Sequence, residues 1–143
     1  MSDDLTFRFA NAKDVPWLAK RNQELILDEG SRNKMSIIEL EQRMSNFLGN
    51  EYKSVIMSFN NNDVGYILYR QDTDHLYIRQ LFIIRNMRRR YFGRKFIEWL
   101  KKNAWKDCKI ISTEVLIHNR VGIDFWKAVG FKDYCITMEM ENQ

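Results

Sequence analysis

Residues 54–84 constrain the fold most, because three apolar runs follow one another there with only short polar breaks. "SVIMSF" gives way to the turn "NNND", then to "VGYILYR", and shortly afterwards to "HLYIRQLFII". Asn and Asp tolerate the left-handed conformations of a tight turn, so the first two runs read as a β-hairpin. The third extends the hairpin to a meander. It alternates early and is apolar on both sides later, as expected of a strand entering the middle of a sheet.

The flanking segments fit around this meander. "LTFRFA" alternates Leu5, Phe7 and Phe9 and reads as a first strand. Asp14 is a plausible N-cap for a helix through about Leu27, with Pro16 near its start, where a missing donor does no harm. Gly30 and Ser31 interrupt, and a second helix from about Ser36 carries Ile37, Leu40, Met44, Phe47 and Leu48 on one face. Downstream, Phe92, Phe96, Ile97, Leu100 and Ala104 share a helical face, and "KIISTEVLI" reads as a strand. A short helix from about Arg120 then carries Gly122, Phe125, Trp126 and Val129, with Gly130 as its stop, before "FKDYCITMEME" closes the chain as a strand. The order β-α-α-β-β-β-α-β-α-β predicts an α+β domain over residues 1–143, antiparallel in its first half with a helical crossover in its second.

Composition narrows the function. The net charge of +4, from 23 basic and 19 acidic residues, permits an anionic partner without demanding one. No apolar run is long enough to cross a bilayer, and "MSDDLTFRF" lacks the features of a signal peptide, so no membrane association and a cytoplasmic location are expected. Cys108 and Cys135 match neither a metal-ligand spacing nor a disulfide framework and read as free thiols in a reducing compartment.

The stretch "RNMRRRYFGRKFIEWLKK" joins a strand to a helix that starts near Phe92. Unpaired amides at a helix N-terminus, together with the helix dipole, form an anion site. Gly93 lets the backbone approach phosphate oxygens, and Arg88, Arg89, Arg90 and Arg94 add positive potential, an arrangement sized for a pyrophosphate. Nucleic acid is the rival ligand: Lys95, Lys101, Lys102 and Lys106 extend the charge, and Tyr91, Trp99 and Trp105 could stack on bases. Phe96, Ile97 and Leu100 interleave with those lysines at core spacing, however, so much of the charge is the wet side of a buried helix. Nucleic acid is therefore not the expected partner.

Taken together, "YIRQLFIIRNMRRRYFGRKFIEWL" and "EVLIHNRVGIDFWKAVGF" resemble the acetyl-CoA-binding core of the GNAT superfamily of N-acetyltransferases. The family's Q/R-x-x-G-x-G/A pattern appears as Arg88-x-x-Tyr91-x-Gly93, with tyrosine at the first glycine. The second motif appears as Asn119, Gly122 where alanine is usual, Phe125-Trp126 and Gly130-Phe131. The resemblance implies a GNAT-like mixed sheet with an antiparallel N-terminal half, a central parallel pair splayed around the cofactor, and about four flanking helices. It also implies acetyl-CoA as co-substrate and acetyl transfer to a primary amine by direct attack in a ternary complex. Leu81, Phe82 and Ile83 would hold the pantetheine arm through backbone groups. Arg88, Arg89, Arg90, Tyr91, Phe92, Gly93 and Arg94 would hold the diphosphate, and Asn119, Phe125 and Trp126 would line the arm.

The chemistry sets further demands. Deprotonating an alkylamine at pH 7 costs about 4.6 kcal/mol, so a base, a water relay or a desolvated site is required. Glu114 is the best carboxylate candidate for the base. Gln80, where relatives often carry glutamate, can only orient a water. The leaving-group tyrosine of many relatives is Trp126 here, which leaves Tyr134 as a replacement donor. Asp28 and Glu29, where the first two helices meet, would recognise a cationic substrate; His75 and His118 could titrate in a useful range. No metal is implied. An acyl-CoA-binding module without turnover is the competing class, and the C-terminal strand "YCITMEME" could pair two copies into a homodimer.

Overall fold

The sheet grows outward from the meander. In the computed structural model, which describes residues 4–88 and 90–143, β2 (Tyr52–Phe59), β3 (Asn62–Gln71) and β4 (Leu76–Ile83) pair antiparallel in chain order. The β2–β3 turn places Asn60 and Asn61 at φ 51° and 69°. Both lie in the left-handed region that a two-residue hairpin with the strands' own twist requires. β1 (Leu5–Phe9) adds antiparallel to β2, and β5 (Ile111–Thr113) adds parallel to β4, giving the order β1-β2-β3-β4-β5.

Among the described residues four α-helices cover the two faces: α1 (Val15–Glu29), α2 (Ile37–Gly49), α3 (Phe92–Asn103) and α4 (Arg120–Ala128). Because strand side chains alternate, the meander feeds two cores. Val55, Met57, Ile67, Tyr69, Leu76 and Ile78 meet Phe92, Phe96, Ile97 and Leu100 of α3 on one face. Ile56, Tyr66, Leu68 and Phe82 meet Val15, Leu18 and Leu25 of α1 and Met44 of α2 on the other. Coverage on both sides explains why these strands read as nearly continuous apolar runs. Phe96 is fully buried, and truncating such a ring to alanine costs about 3–5 kcal/mol.

Local capping differs in detail from the sequence reading. Ser36 caps α2 as expected: its hydroxyl accepts from Glu39 N while its own amide donates to Glu39 Oε1 at 2.9 Å. Asp14 occupies the N-cap position of α1 but makes no side-chain cap bond, since its carboxylate is held by Arg8 at 2.9 Å and by the Asn11 amide at 2.9 Å. Helix α1 continues two residues beyond Leu27 and ends at Gly30, whose φ of 66° suits a residue without Cβ.

The expected closing strand is not formed. The backbone of 132–143 is irregular, and Tyr134, Ile136, Met138 and Met140 are exposed. Arg32 holds this tail by a 2.7 Å ion pair to Glu139. The physical reason is the missing neighbour: β5 spans only 3 residues, too short a ladder to template another strand. β5 itself is shorter than "KIISTEVLI" because β4 and β5 part company, which creates the site.

Candidate active site

Pairing between β4 and β5 runs from Leu76↔Ile111 to Ile78↔Thr113 and then stops. Thr113 Oγ1 donates to the Ile78 carbonyl at 3.0 Å, closing the last rung. Beyond it, Leu81, Phe82 and Ile83 remain paired to β3 on one side only, so their other edge opens into the splay, ready for an extended ligand to add like a strand. The β3–β4 register skips one residue between the Leu68↔Gln80 and Tyr69↔Ile78 pairs, which leaves Arg79 as a bulge. Bulges re-aim side chains where a sheet meets a site.

The splay leads into the basic loop. Tyr91 immediately precedes α3 with φ 61° and ψ 20°, the left-handed conformation natural to glycine; this is the position where the motif has its first glycine. Lys95 N donates to Tyr91 O at 2.9 Å, and among the described residues the amides of Phe92, Gly93 and Arg94 find no carbonyl one turn back. A Cβ on Gly93 would stand 2.7 Å from Phe125 Cε1; the bare backbone therefore serves contact with α4 as well.

The arginines of the loop are tied down individually. Arg88 donates through Nε to the Ile83 carbonyl at 2.8 Å and through Nη2 to Asp28 at 2.7 Å, and Arg85 reaches the other Asp28 oxygen at 2.8 Å. Arg94 donates to the Ala128 carbonyl at 3.1 Å, near the end of α4, and Arg90 lies over the Phe59 ring. Arg89 lies outside the described residues. Burial would raise the Asp28 pKa, but the hydrogen bonds from Arg88 and Arg85 outweigh it and hold the carboxyl below its ordinary value. Asp28 is thus paired to the arginines of the β4–α3 loop.

Glu29, next in sequence, behaves oppositely. Its carboxylate has no hydrogen-bond or ion-pair partner among the described residues, and burial, then the neighbouring Asp28 charge, push its pKa up. Its carbonyl accepts from His118 Nε2 at 3.1 Å, and the Gly30 carbonyl does so at 3.2 Å. That contact links the end of α1 to the β5–α4 connection across the splay. Gln80 is buried on β4 and accepts from the Tyr66 hydroxyl at 2.8 Å. Tyr66 is itself fully buried, and its pKa is raised far above normal by burial first and the Glu29 charge second.

Glu114 accepts from the Tyr77 hydroxyl at 2.8 Å, and burial together with that bond pushes the Tyr77 pKa up to about 12. Tyr134 is 98% exposed on the tail. Trp126 packs edge-on between Phe125 and Phe131, with ring centroids 5.0 and 4.9 Å away. Asn119 caps α4, its Oδ1 accepting from Gly122 N at 3.0 Å. His75 pairs with Asp74 at 2.8 Å, at the start of β4. Sequence reasoning misses Tyr66, Arg43 and Arg79. Arg79, the charged residue inside "YIRQLF", is the one signal that could have pointed to them.

An open-edged central strand feeding a helix N-terminus through a left-handed residue is the architecture of an acetyltransferase. Residues 22–131 match the Acetyltransferase (GNAT) family, and the chain belongs to it. Among solved structures, the aminoglycoside N-acetyltransferase AAC(6')-Iy in complex with CoA superposes with a TM-score of 0.78 at 11% identity, over 100% of this chain and 97% of that one. A possible acetyltransferase from Clostridium difficile 630 gives 0.79 at 15% identity over 97% of each chain. Another, from Clostridium acetobutylicum with acetyl-CoA, gives 0.75 at 19% identity over 96% of each. Among curated proteins none matches the sequence. Among the described residues, no helix is long and apolar enough to cross a membrane.

Proposed function

We propose that this chain transfers the acetyl group of acetyl-CoA to a primary amine by direct attack in a ternary complex. The observation that carries the reading is the free β4 edge at Leu81–Ile83 running directly into the amides of α3. Bound there, the thioester supplies an activated acyl carbon. The protein supplies the rest. Backbone groups of Leu81, Phe82 and Ile83 hold the pantetheine arm, and Arg88, Arg89, Arg90, Tyr91, Phe92, Gly93 and Arg94 form the diphosphate loop. Asn119, Phe125 and Trp126 line the arm. Holding both reactants in one cleft removes much of the entropic barrier.

Glu29 is the base in this reading. A half-buried carboxylate with a raised pKa and no competing partner among the described residues can take a proton from the incoming ammonium. Gln80, fixed by Tyr66, orients a water or the amine. Glu114 is the alternative base, although its carboxylate already accepts from Tyr77. The Trp126 indole is no acid, and a thiol of pKa about 8.5 leaves tolerably as thiolate; Tyr134 would need its tail to fold inward to donate. That tail, with Ile136, Met138 and Met140 exposed, also supports pairing with a second copy as a homodimer. Two free cysteines suit a reducing, cytoplasmic setting.

Thiol release from acetyl-CoA across a panel of amines tests the reading. Turnover with at least one primary amine is expected. A silent panel, with coenzyme A still raising the melting temperature, favours a binding module instead.

A further inference from the structure

We infer that the amine acceptor also carries an anionic group, a carboxylate or a phosphate, and that Arg43 and Arg79 bind it. This rests on the acetyltransferase reading and names the substrate class of that site. Arg43 comes from α2 and Arg79 from the β4 bulge, yet both guanidinium carbons lie over the same Phe47 ring, at 5.4 and 4.8 Å from its centroid. Arg79 also lies 6.0 Å over the Tyr52 ring. Among the described residues no carboxylate pairs with either cation. Arg43 Nη2 donates to the Oδ1 of buried Asn22 at 3.1 Å, and its Nε is buried without a partner. Burial, then the Arg79 charge, lower the Arg43 pKa.

Neighbouring arginines make the contrast. Arg70, over the same Tyr52 ring, is offset by Asp72 at 2.8 Å, and Arg85 and Arg88 share Asp28. Among these arginines, only Arg43 and Arg79 share a ring with no carboxylate partner among the described residues, and Arg43 keeps an unmet donor. Their repulsion is relieved when an anion binds both forks.

Position gives the pair its meaning. Arg79 adjoins Gln80, whose side chain accepts from Tyr66, and the Tyr66 hydroxyl feels Glu29 and Arg43 as its two charged neighbours. A carboxylate, a phenol and a guanidinium pair therefore line one side of the sheet. An acceptor with an amine toward Glu29 and an anion toward Arg79 matches that polarity, and a polycation does not. The same two guanidiniums would repel an aminoglycoside, the acceptor named for AAC(6')-Iy.

The test compares matched pairs of acceptors in the thiol-release assay: lysine against 1,5-diaminopentane, and phosphoethanolamine against ethanolamine. The anionic member of at least one pair is expected to win by about 10- to 100-fold in kcat/KM, and the winning pair tells carboxylate from phosphate. Arg79→Gln, on an exposed bulge, should collapse that ratio toward one, mostly through KM; Arg70→Gln should preserve it. Should turnover be too slow to measure, the melting temperature of the CoA-saturated protein decides instead, and a rise with the anionic member alone supports the inference. Equal or better use of the diamine and ethanolamine, or an unchanged ratio in Arg79→Gln, overturns the inference while leaving the acetyltransferase reading standing. Loss of coenzyme A binding altogether would remove both.

Discussion

The two ends of the cleft are built on opposite electrostatic plans. At the proposed diphosphate end the side chains are matched to partners: Arg85 and Arg88 share Asp28, and Arg94 donates to the Ala128 carbonyl. At the proposed acceptor end charges are left unmatched: among the described residues Glu29 has no side-chain partner, and Arg43 and Arg79 share the Phe47 ring with no carboxylate between them. A ligand recognised by backbone amides needs a rigid cradle, and paired side chains supply the rigidity. A ligand recognised by side chains needs groups that are not already satisfied. On the proposed reading, matched partners in the first region and unmatched charge in the second would separate holding a common co-substrate from choosing a particular acceptor.

The largest test of this contrast is Glu29→Gln. Removing a general base lowers rates by about 10²- to 10⁴-fold, with coenzyme A affinity expected to stay put. The pH profile sharpens the point. Because burial and Asp28 raise the Glu29 pKa, its basic form appears only at higher pH than for an ordinary glutamate, and activity should climb as pH passes that raised value. In the folded state the same shift favours the neutral form, so the stability it lends is complete below the unfolded pKa and fades as pH rises through the folded one. A glutamine variant with an unchanged acid limb would assign the base elsewhere, to Glu114 first.

Gly93→Ala comes next and probes the matched end. The new Cβ would meet the Phe125 ring at 2.7 Å, and that ring is wedged against Trp126. Alanine is the better helix former, so a stability loss of about 1–3 kcal/mol by thermal denaturation would come from the α3–α4 collision alone. Weakened coenzyme A binding should accompany it. A neutral outcome would mean that α4 is free to shift.

The contrast also explains what is legible in the sequence. The meander can be read because alternation and the Asn60–Asn61 turn are local, and the start of α3 near Phe92 because its signals are contiguous in the sequence. Asp28 reads as a recogniser of a cationic substrate because its arginine partners lie 57 and 60 residues away. The Arg43–Arg79 pair is invisible for the same reason: it exists only once α2 is laid across the β4 bulge. The closing strand is a different case. The period-two apolar pattern in "YCITMEME" calls for a partner strand and carries no information on whether one is present.

Gly122→Ala should have a smaller effect, about 0.5–2 kcal/mol, the value of an N-cap. The site has glycine where relatives usually have alanine, and a Cβ there would stand 2.6 Å from Asn119 Nδ2. The side chain that caps α4 would have to leave its bond to Gly122 N. Pairing this variant with Asn119→Ala checks the cause: if the clash acts through the cap, the two losses will not add.

Tyr91→Gly is the smallest and the most diagnostic of how the matched end is made. A non-glycine residue at φ 61° is strained by about 1–2 kcal/mol, while glycine loses about 0.5–1 kcal/mol through the entropy of the unfolded chain. The Tyr91 ring is 74% exposed and forfeits little on removal. The difference is a net gain of a few tenths to about 1 kcal/mol, readable as a small rise in melting temperature with coenzyme A affinity held or slightly improved. If the variant instead binds coenzyme A more weakly, the tyrosine is itself a contact of the ligand, and the diphosphate end is recognised by a side chain after all. The division between a backbone-made cradle and a side-chain-made selector would then have to be redrawn at that residue.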